Sequence, residues 1–371
     1  MQRPLFIGHE IFRHSTYGRW HPLRVPRVST VMDLSRALGW LPGDQFVTSP
    51  RAKPVALTQW HTPAYIAALQ RIEADQIATE QDRKRHDIGS VTNPVFPEIF
   101  RRPATAAGGS ILAGELLREG GVIYNPAGGT HHGMPDRANG FCYLNDPVLA
   151  MFSLRHNGVR RIAYIDIDAH HPDGVEAGFG GDPDCLMMSV HEDRLWPRSG
   201  PLENDAGGNA FNLPVPRGFN DSEMTFVRDQ LIVPRVTAFA PDAIVFLCGA
   251  DGVEEDPLSH MHLSNNAHWQ ILQALKGLAP RLLVLGGGGY NPWSVGRMWT
   301  GIWGILNDQF IPDILPPEAE QVLRALRFDG NRRGKNPPPH WFTTLRDRPR
   351  PGPLRDIVVQ SVGHLNARPP L

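Results

Sequence analysis

The stretch Arg161-Ile-Ala-Tyr-Ile-Asp-Ile-Asp-Ala-His-His-Pro-Asp-Gly174 constrains this chain more than any other. It opens as an apolar, β-branched run, the pattern of a strand buried on both faces of a parallel sheet. It closes on three carboxylates and two imidazoles between Asp166 and Asp173. Burying so much charge without partners is costly, so a strand end that carries it points to an ion or a reaction. Side chains alternate with period 2, which sets Asp166, Asp168 and His170 on one face. Neighbours lie about 6.6 Å apart at Cα and can converge on one ion, whereas Asp166 and His170, about 13 Å apart, cannot unless the chain curls. Asp168 and His170 therefore read as one metal pair, with Asp166 left for another task.

The 371 residues can be absorbed by one large α/β domain, and an apolar fraction of 41% is enough for its core. With 37 basic and 38 acidic residues there is no global field to recruit nucleic acid or an anionic membrane. The N-terminus lacks a signal-peptide apolar segment and no later run approaches a membrane span. Cys142, Cys185 and Cys248, widely spaced among apolar residues, read as buried thiols of a reducing compartment, so the expected location is the cytoplasm.

Apolar periodicity predicts a first strand at 5–8 and helices at 28–38 and from Thr62-Pro63 to about Glu80. A long surface loop is expected at 81–101, then a helix over 103–118. From there strands at 122–124, 161–167, 185–190, 243–248 and 281–285 interleave with helices near 143–156, 220–239, 264–279 and from 293. That alternation predicts a parallel sheet covered by helices on both faces. Residues 1–330 are expected to form a single domain. Residues 331–371 form a Pro/Arg-rich extension with an amphipathic end at 357–365, laid over the domain or used at a subunit or partner contact.

Four of these strands end in polar or glycine-rich clusters. They are Asn125-Pro-Ala-Gly-Gly-Thr-His131-His132, Asp168-Ala-His170, Cys248-Gly-Ala-Asp251-Gly252, and Gly286-Gly-Gly-Gly-Tyr290. Sites of α/β sheets lie beyond the carboxyl ends of the strands, so the clusters should meet. Asp251 supplies a third ligand, and two carboxylates with one imidazole suit a catalytic zinc that keeps one open position. His131 and His132 are candidates for general base and acid. Asp166 and Asp173 would fix their tautomers. Tyr290 could donate a hydrogen bond to a developing oxyanion. The set reads as metal-assisted hydrolysis of an amide or ester.

The motifs GGTHHG, GFCYLND, YIDIDAHHPDG, SVHED, GADG and GGGGY occur in one chain and in the order of a known family. The chain resembles the zinc-dependent histone deacetylase superfamily, which includes bacterial acetoin-utilisation deacetylases and acetylpolyamine amidohydrolases. The resemblance implies the arginase/deacetylase-like fold, a three-layer α/β sandwich with a central parallel sheet. It implies one Zn²⁺ per chain on Asp168, His170 and Asp251, His132 as general base and acid, His131 as its electrostatic partner, and Tyr290 as oxyanion donor. Asp166 and Asp173 would pair with His131 and His132. A structural K⁺ would use Asp166, Asp168, His170, Ser189 and Val190. Gly140, Phe141, Trp196, Leu258 and Gly288 fall where the family binds its acyl-lysine substrate. Some bacterial relatives with long loops such as 81–101 form homo-oligomers in which one subunit narrows the other's entrance.

The implied substrate is an acylated lysine, in a protein or a small molecule. The alternative is an acetylpolyamine or another small N-acyl amine. Leu258 stands where polyamine-selective relatives place an acidic gatekeeper, with Glu254 and Glu255 close enough to substitute. The loop at Thr92-Asn93-Pro94 lacks the acid that grips the substrate backbone in many lysine deacetylases. An arginase-like binuclear manganese site needs an Asp at the position of Pro172, which cannot ligate. Retention of every presumed ligand, both histidines and Tyr290 argues against an inactive acyl-lysine-binding module. No nucleic-acid or membrane partner is expected.

Overall fold

The computed structural model describes residues 3–14, 17–18, 21–328, 336–369 and 371. Eight strands form one sheet: β1 Leu5–Gly8, β2 Phe46–Thr48, β3 Gly121–Asn125, β4 Ile162–Asp166, β5 Cys185–Glu192, β6 Ala210–Val215, β7 Ala243–Leu247 and β8 Arg281–Leu285. Their spatial order is β2-β1-β3-β8-β7-β4-β5-β6, and every pairing is parallel. The period of 2 distributes each central strand between two cores. Tyr124, Ile165, Met188, Phe246 and Val284 point to one layer, where they meet the helices Val28–Ala37, Asn265–Leu275 and Pro292–Leu306. Ile123, Tyr164, Met187, Val245 and Leu283 point to the other, under the helices Arg101–Leu116 and Asp146–His156. The result is the expected three-layer α/β sandwich.

Several local expectations need correction. The helix capped by Thr62 stops at Asp75, because Gln76 turns left-handed. Residues 81–101 are not simply a surface loop. Thr79 and Asp82 form a reciprocal cap that starts a helix at Glu80–His86. Ile88, Phe96, Ile99 and Phe100 then join Tyr65, Leu69 and Tyr143 in a third apolar cluster. Strands β2 and β6 are additional to those expected. The three cysteines are free and buried. Among the described residues no helix is long and apolar enough to cross a membrane.

The boundary placed at 330/331 and the basic run after it fall at 329–335, outside the described residues. Further on, Leu345, Val358, Val362 and Leu365 are buried, the last three on the helix Asp356–Asn366. Asp347 forms a buried ion pair with Arg297 at 2.7 Å. Arg350 engages Glu254 at 2.8 Å, Glu255, and the carbonyl of Leu263. The tail thus braces the loop that follows β7.

Candidate active site

The loop after β3 is shaped by one buried carboxylate. Asp146 accepts the backbone N–H groups of Gly129 (3.0 Å) and Thr130 (2.7 Å) and the hydroxyls of Thr130 and Ser110, both at 2.5 Å. Gly129 has a left-handed φ of 97°, and a Cβ there would lie 2.4 Å from the nitrogen of Gly287, so only glycine lets the two loops meet. The Asn145 amide donates to the carbonyls of His131 (3.2 Å) and Gly133 (3.0 Å). Both histidines are thereby presented at the carboxyl edge of the sheet.

Each histidine has its own carboxylate. Nδ1 of His131 lies 2.8 Å from Asp166, which also accepts the hydroxyl of Tyr164 (2.5 Å) and the N–H of Asp168 (2.9 Å). Nδ1 of His132 lies 2.7 Å from Asp173, whose other oxygen accepts the Asn139 amide at 2.9 Å. The two imidazoles are 4.0 Å apart between centroids, yet they titrate in opposite directions. Burial opposes charge on His131, but facing Asp166 and Asp168 outweighs it and raises the pKa to about 9. Burial, reinforced by the charge on His131, pushes His132 down to about 3 despite Asp173. At neutral pH His131 is a cation. His132 is neutral, with its Nδ1 proton on Asp173 and Nε2 open as an acceptor.

Asp168, His170 and Asp251 arrive from β4 and β7 with donor atoms all within 4.8 Å of one another. Nδ1 of His170 is 3.0 Å from Asp168 and 3.0 Å from Asp251. Burial opposes charge on His170, but its bonds to the two carboxylates hold its pKa well above the usual range. The three donor atoms lie close enough together to share one cation. Gly249 and Gly288 leave room for it: a Cβ would fall 2.1 Å from an Asp168 oxygen or 2.0 Å from an Asp251 oxygen, respectively. Two carboxylates and one imidazole, buried and converging, fit a catalytic metal with an open position.

Tyr290 is buried at the end of the glycine run, its ring edge on Phe141 at 5.9 Å between centroids. Its N–H donates to Asp256 at 2.6 Å, and the other oxygen of Asp256 accepts the N–H of Leu258 at 2.9 Å. Burial, with Asp251 and Asp168 nearby, raises the Tyr290 pKa far above 10, so the phenol keeps its proton for donation.

His131, His132, Asp168, His170, Gly288 and Tyr290 line one cleft, with Gly140 and Phe141 along its wall. Trp196 closes it from the loop after β5, its ring 4.7 Å from that of His132 and against Gly140. Leu258 is joined to this group through its backbone and does not line the cleft. Ser189 faces Asp166 in the β4–β5 register and bonds His191 at 2.8 Å, with Val190 buried beside it.

Other residues contribute that patterns of spacing do not single out. Arg27 donates to the Gly287 carbonyl at 2.7 Å, and the Asn93 side chain accepts the N–H of Phe141 at 3.1 Å. Asp146 and Asp256 act on backbone N–H groups. The motif GFCYLND contains the first, and no signal in the sequence marks the second.

The chain matches the family model described as Histone deacetylase domain over residues 21–306. It is 34% identical over 310 residues to Histone deacetylase 9 of Arabidopsis thaliana, covering 81% of this chain and 72% of that protein. It is 30% identical over 318 residues to the acetoin utilization protein AcuC of Bacillus subtilis, covering 82% of each. Human Histone deacetylase 1 is 30% identical over 308 residues, 81% of this chain and 64% of that protein. The crystal structure of an HDAC homolog from Aquifex aeolicus matches with a TM-score of 0.93 and 32% identity, over 99% of this chain and 100% of that one.

Proposed function

Because the chain belongs to the histone deacetylase family and is a deacetylase hydrolase, we propose that it removes an acetyl or another short acyl group from the ε-amine of lysine. The observation that carries this is the pairing of His131 with Asp166 and of His132 with Asp173 in the cleft lined by Asp168 and His170.

Zinc held by Asp168, His170 and Asp251 would supply Lewis acidity, acidifying water and polarising the acyl carbonyl. His132 takes the proton of the attacking water at Nε2, since Nδ1 is engaged by Asp173. It then returns that proton to the departing lysine amine. His131, cationic through Asp166, balances the negative charge that builds as the tetrahedral intermediate forms. The Tyr290 phenol donates to the oxyanion, with its backbone steadied by Asp256. Phe141 and Trp196 flank the acyl-lysine chain, with Gly140 and Gly288 giving it room. Asp166, Ser189 and Val190, with the backbone of Asp168 and His170, are the proposed seat of a potassium ion. Three buried free thiols support a reducing cytoplasm.

An acetylpolyamine is the weaker alternative. Glu254 and Glu255 could have drawn a cationic chain in place of the missing gatekeeper, but Arg350 engages both and His262 pairs with Glu254 at 2.9 Å. The test is turnover of acetyl-lysine peptides and N-acetylputrescine by the zinc-loaded protein. His132→Ala and Tyr290→Phe should each lower kcat at least 100-fold. A large preference for the polyamine, or unchanged turnover in both variants, would overturn the proposal.

A further inference from the structure

Resting on that acyl-lysine reading, we propose that the mouth of the site selects acyl-lysine flanked by acidic residues in a peptide, held by Arg194 and Arg198. Trp196 covers His132 yet is 41% exposed, so its outer edge marks where the substrate meets solvent. Two residues to either side stand Arg194 and Arg198, both exposed and both left-handed, with φ of 59° and 64°. A non-glycine residue holds that conformation at a cost, and two in five residues bracket the tryptophan with sharp turns. Both arginines border one solvent-open cleft of about 610 Å³, together with Asp193, Ser199, Pro201 and Pro214.

The positive charge there is under-compensated. Arg198 has no carboxylate partner among the described residues, and Arg194 meets only Asp193, loosely, at 3.6 Å. The adjoining hollow adds Arg217 and Glu192. Glu192 is buried and accepts the His260 N–H at 2.5 Å, with the His260 ring at 2.9 Å and Arg217 at 3.4 Å. Three guanidinium groups therefore face one exposed and one buried, multiply engaged carboxylate.

Reach favours a peptide ligand. Residues one or two positions from an acyl-lysine have Cα atoms about 4–7 Å from its own, and Arg194 and Arg198 each stand two residues from Trp196. A carboxylate at those positions can meet a guanidinium, whereas the free ammonium groups of a polyamine would be repelled. Exposed ion pairs are weak and salt-screened, so each arginine should contribute about two- to fivefold, expressed in KM.

The experiment compares acetyl-lysine peptides with aspartate, alanine or arginine on both sides of the modified residue, using the zinc-loaded full chain at low and high salt. At low salt kcat/KM should run aspartate over alanine over arginine, about tenfold from end to end, and shrink in 0.5 M NaCl. Arg194→Glu/Arg198→Glu should abolish or invert the order. Equal turnover of the three peptides by the unmodified protein overturns this proposal alone, as does an order that survives in the double variant. Failure to hydrolyse any of the peptides overturns the acyl-lysine reading and this proposal with it.

Discussion

The substitution Gly288→Ala tests the cradle around Asp168 and Asp251 without touching a proposed ligand. The new methyl carbon would lie 2.0 Å from an Asp251 oxygen and 2.9 Å from an Asp168 oxygen. Ordinary van der Waals contact of a Cβ lies at 3.4–4 Å, so Asp251 must retreat by more than 1 Å. Zinc–carboxylate bonds are about 2.0–2.2 Å, which leaves no tolerance for such a shift. Outer groups alone cost roughly 10–100-fold in metal affinity, so displacing a ligand should cost at least about 100-fold. Overpacking should destabilise by about 1–3 kcal/mol. The unfolding entropy of a chain this long is about 0.8 kcal/mol/K, at roughly 2.1 cal/mol/K per residue, so Tm should fall by only about 1–4 °C. The assays are competitive zinc titration against a chelator and calorimetry. Gly43→Ala serves as control, because a Cβ there meets nothing within 4 Å. Zinc affinity of Gly288→Ala within twofold of the unmodified protein would refute this description of the metal group.

The remaining predictions concern the supports of the site. Asp256→Asn keeps one acceptor where two N–H groups need one each, so kcat should fall about tenfold. In a Tyr290→Phe background the further loss should nearly vanish, and an equal loss in both backgrounds would show that Asp256 does not act through Tyr290. Arg350→Ala leaves the largely buried Glu255 without its ion-pair partner. After discounting Glu254, which is about half exposed, we expect a loss of about 2 kcal/mol and a fall in kcat, checked by urea unfolding and kinetics. The metal-free protein should lose stability between pH 6.5 and 9. His131 is raised from 6.5 to about 9, so the folded chain holds a proton there that the unfolded chain has released. The slope reaches about 1.4 kcal/mol per pH unit, and urea midpoints that stay flat or rise over this window would contradict it.

The parts of this molecule that repeat a local period could be read in advance, and those that depend on distant pairing could not. The runs 161–167 and 281–285 are long, apolar and bounded by glycine or charge, so their strands and the clusters at their ends are visible in one dimension. Strand β6 carries Asn212 and Pro214 at the sheet edge, which mutes the strand pattern, and β2 has only three residues. Residues 88–100 look like loop because Ile88, Phe96, Ile99 and Phe100 follow no period, yet a neighbouring cluster buries them. The individual members of the site stand out by residue type and position. The grip of Asp256 on Tyr290, 34 residues away, and of Arg350 on Glu255, 95 residues away, exists only in three dimensions.

The sheet order also governs how the protein is born. Strand β8 is the last to be synthesised, yet it lies in the middle, between β3 and β7. Until it emerges from the ribosome, β2-β1-β3 and β7-β4-β5-β6 are two unjoined half-sheets, each with an open inner edge. At about 5–20 residues per second, the edge of β3 waits roughly ten to thirty seconds for its partner. The loop that brings Tyr290 follows directly from the strand that joins the halves. A nascent chain therefore acquires the proposed oxyanion donor only as the two half-sheets are joined.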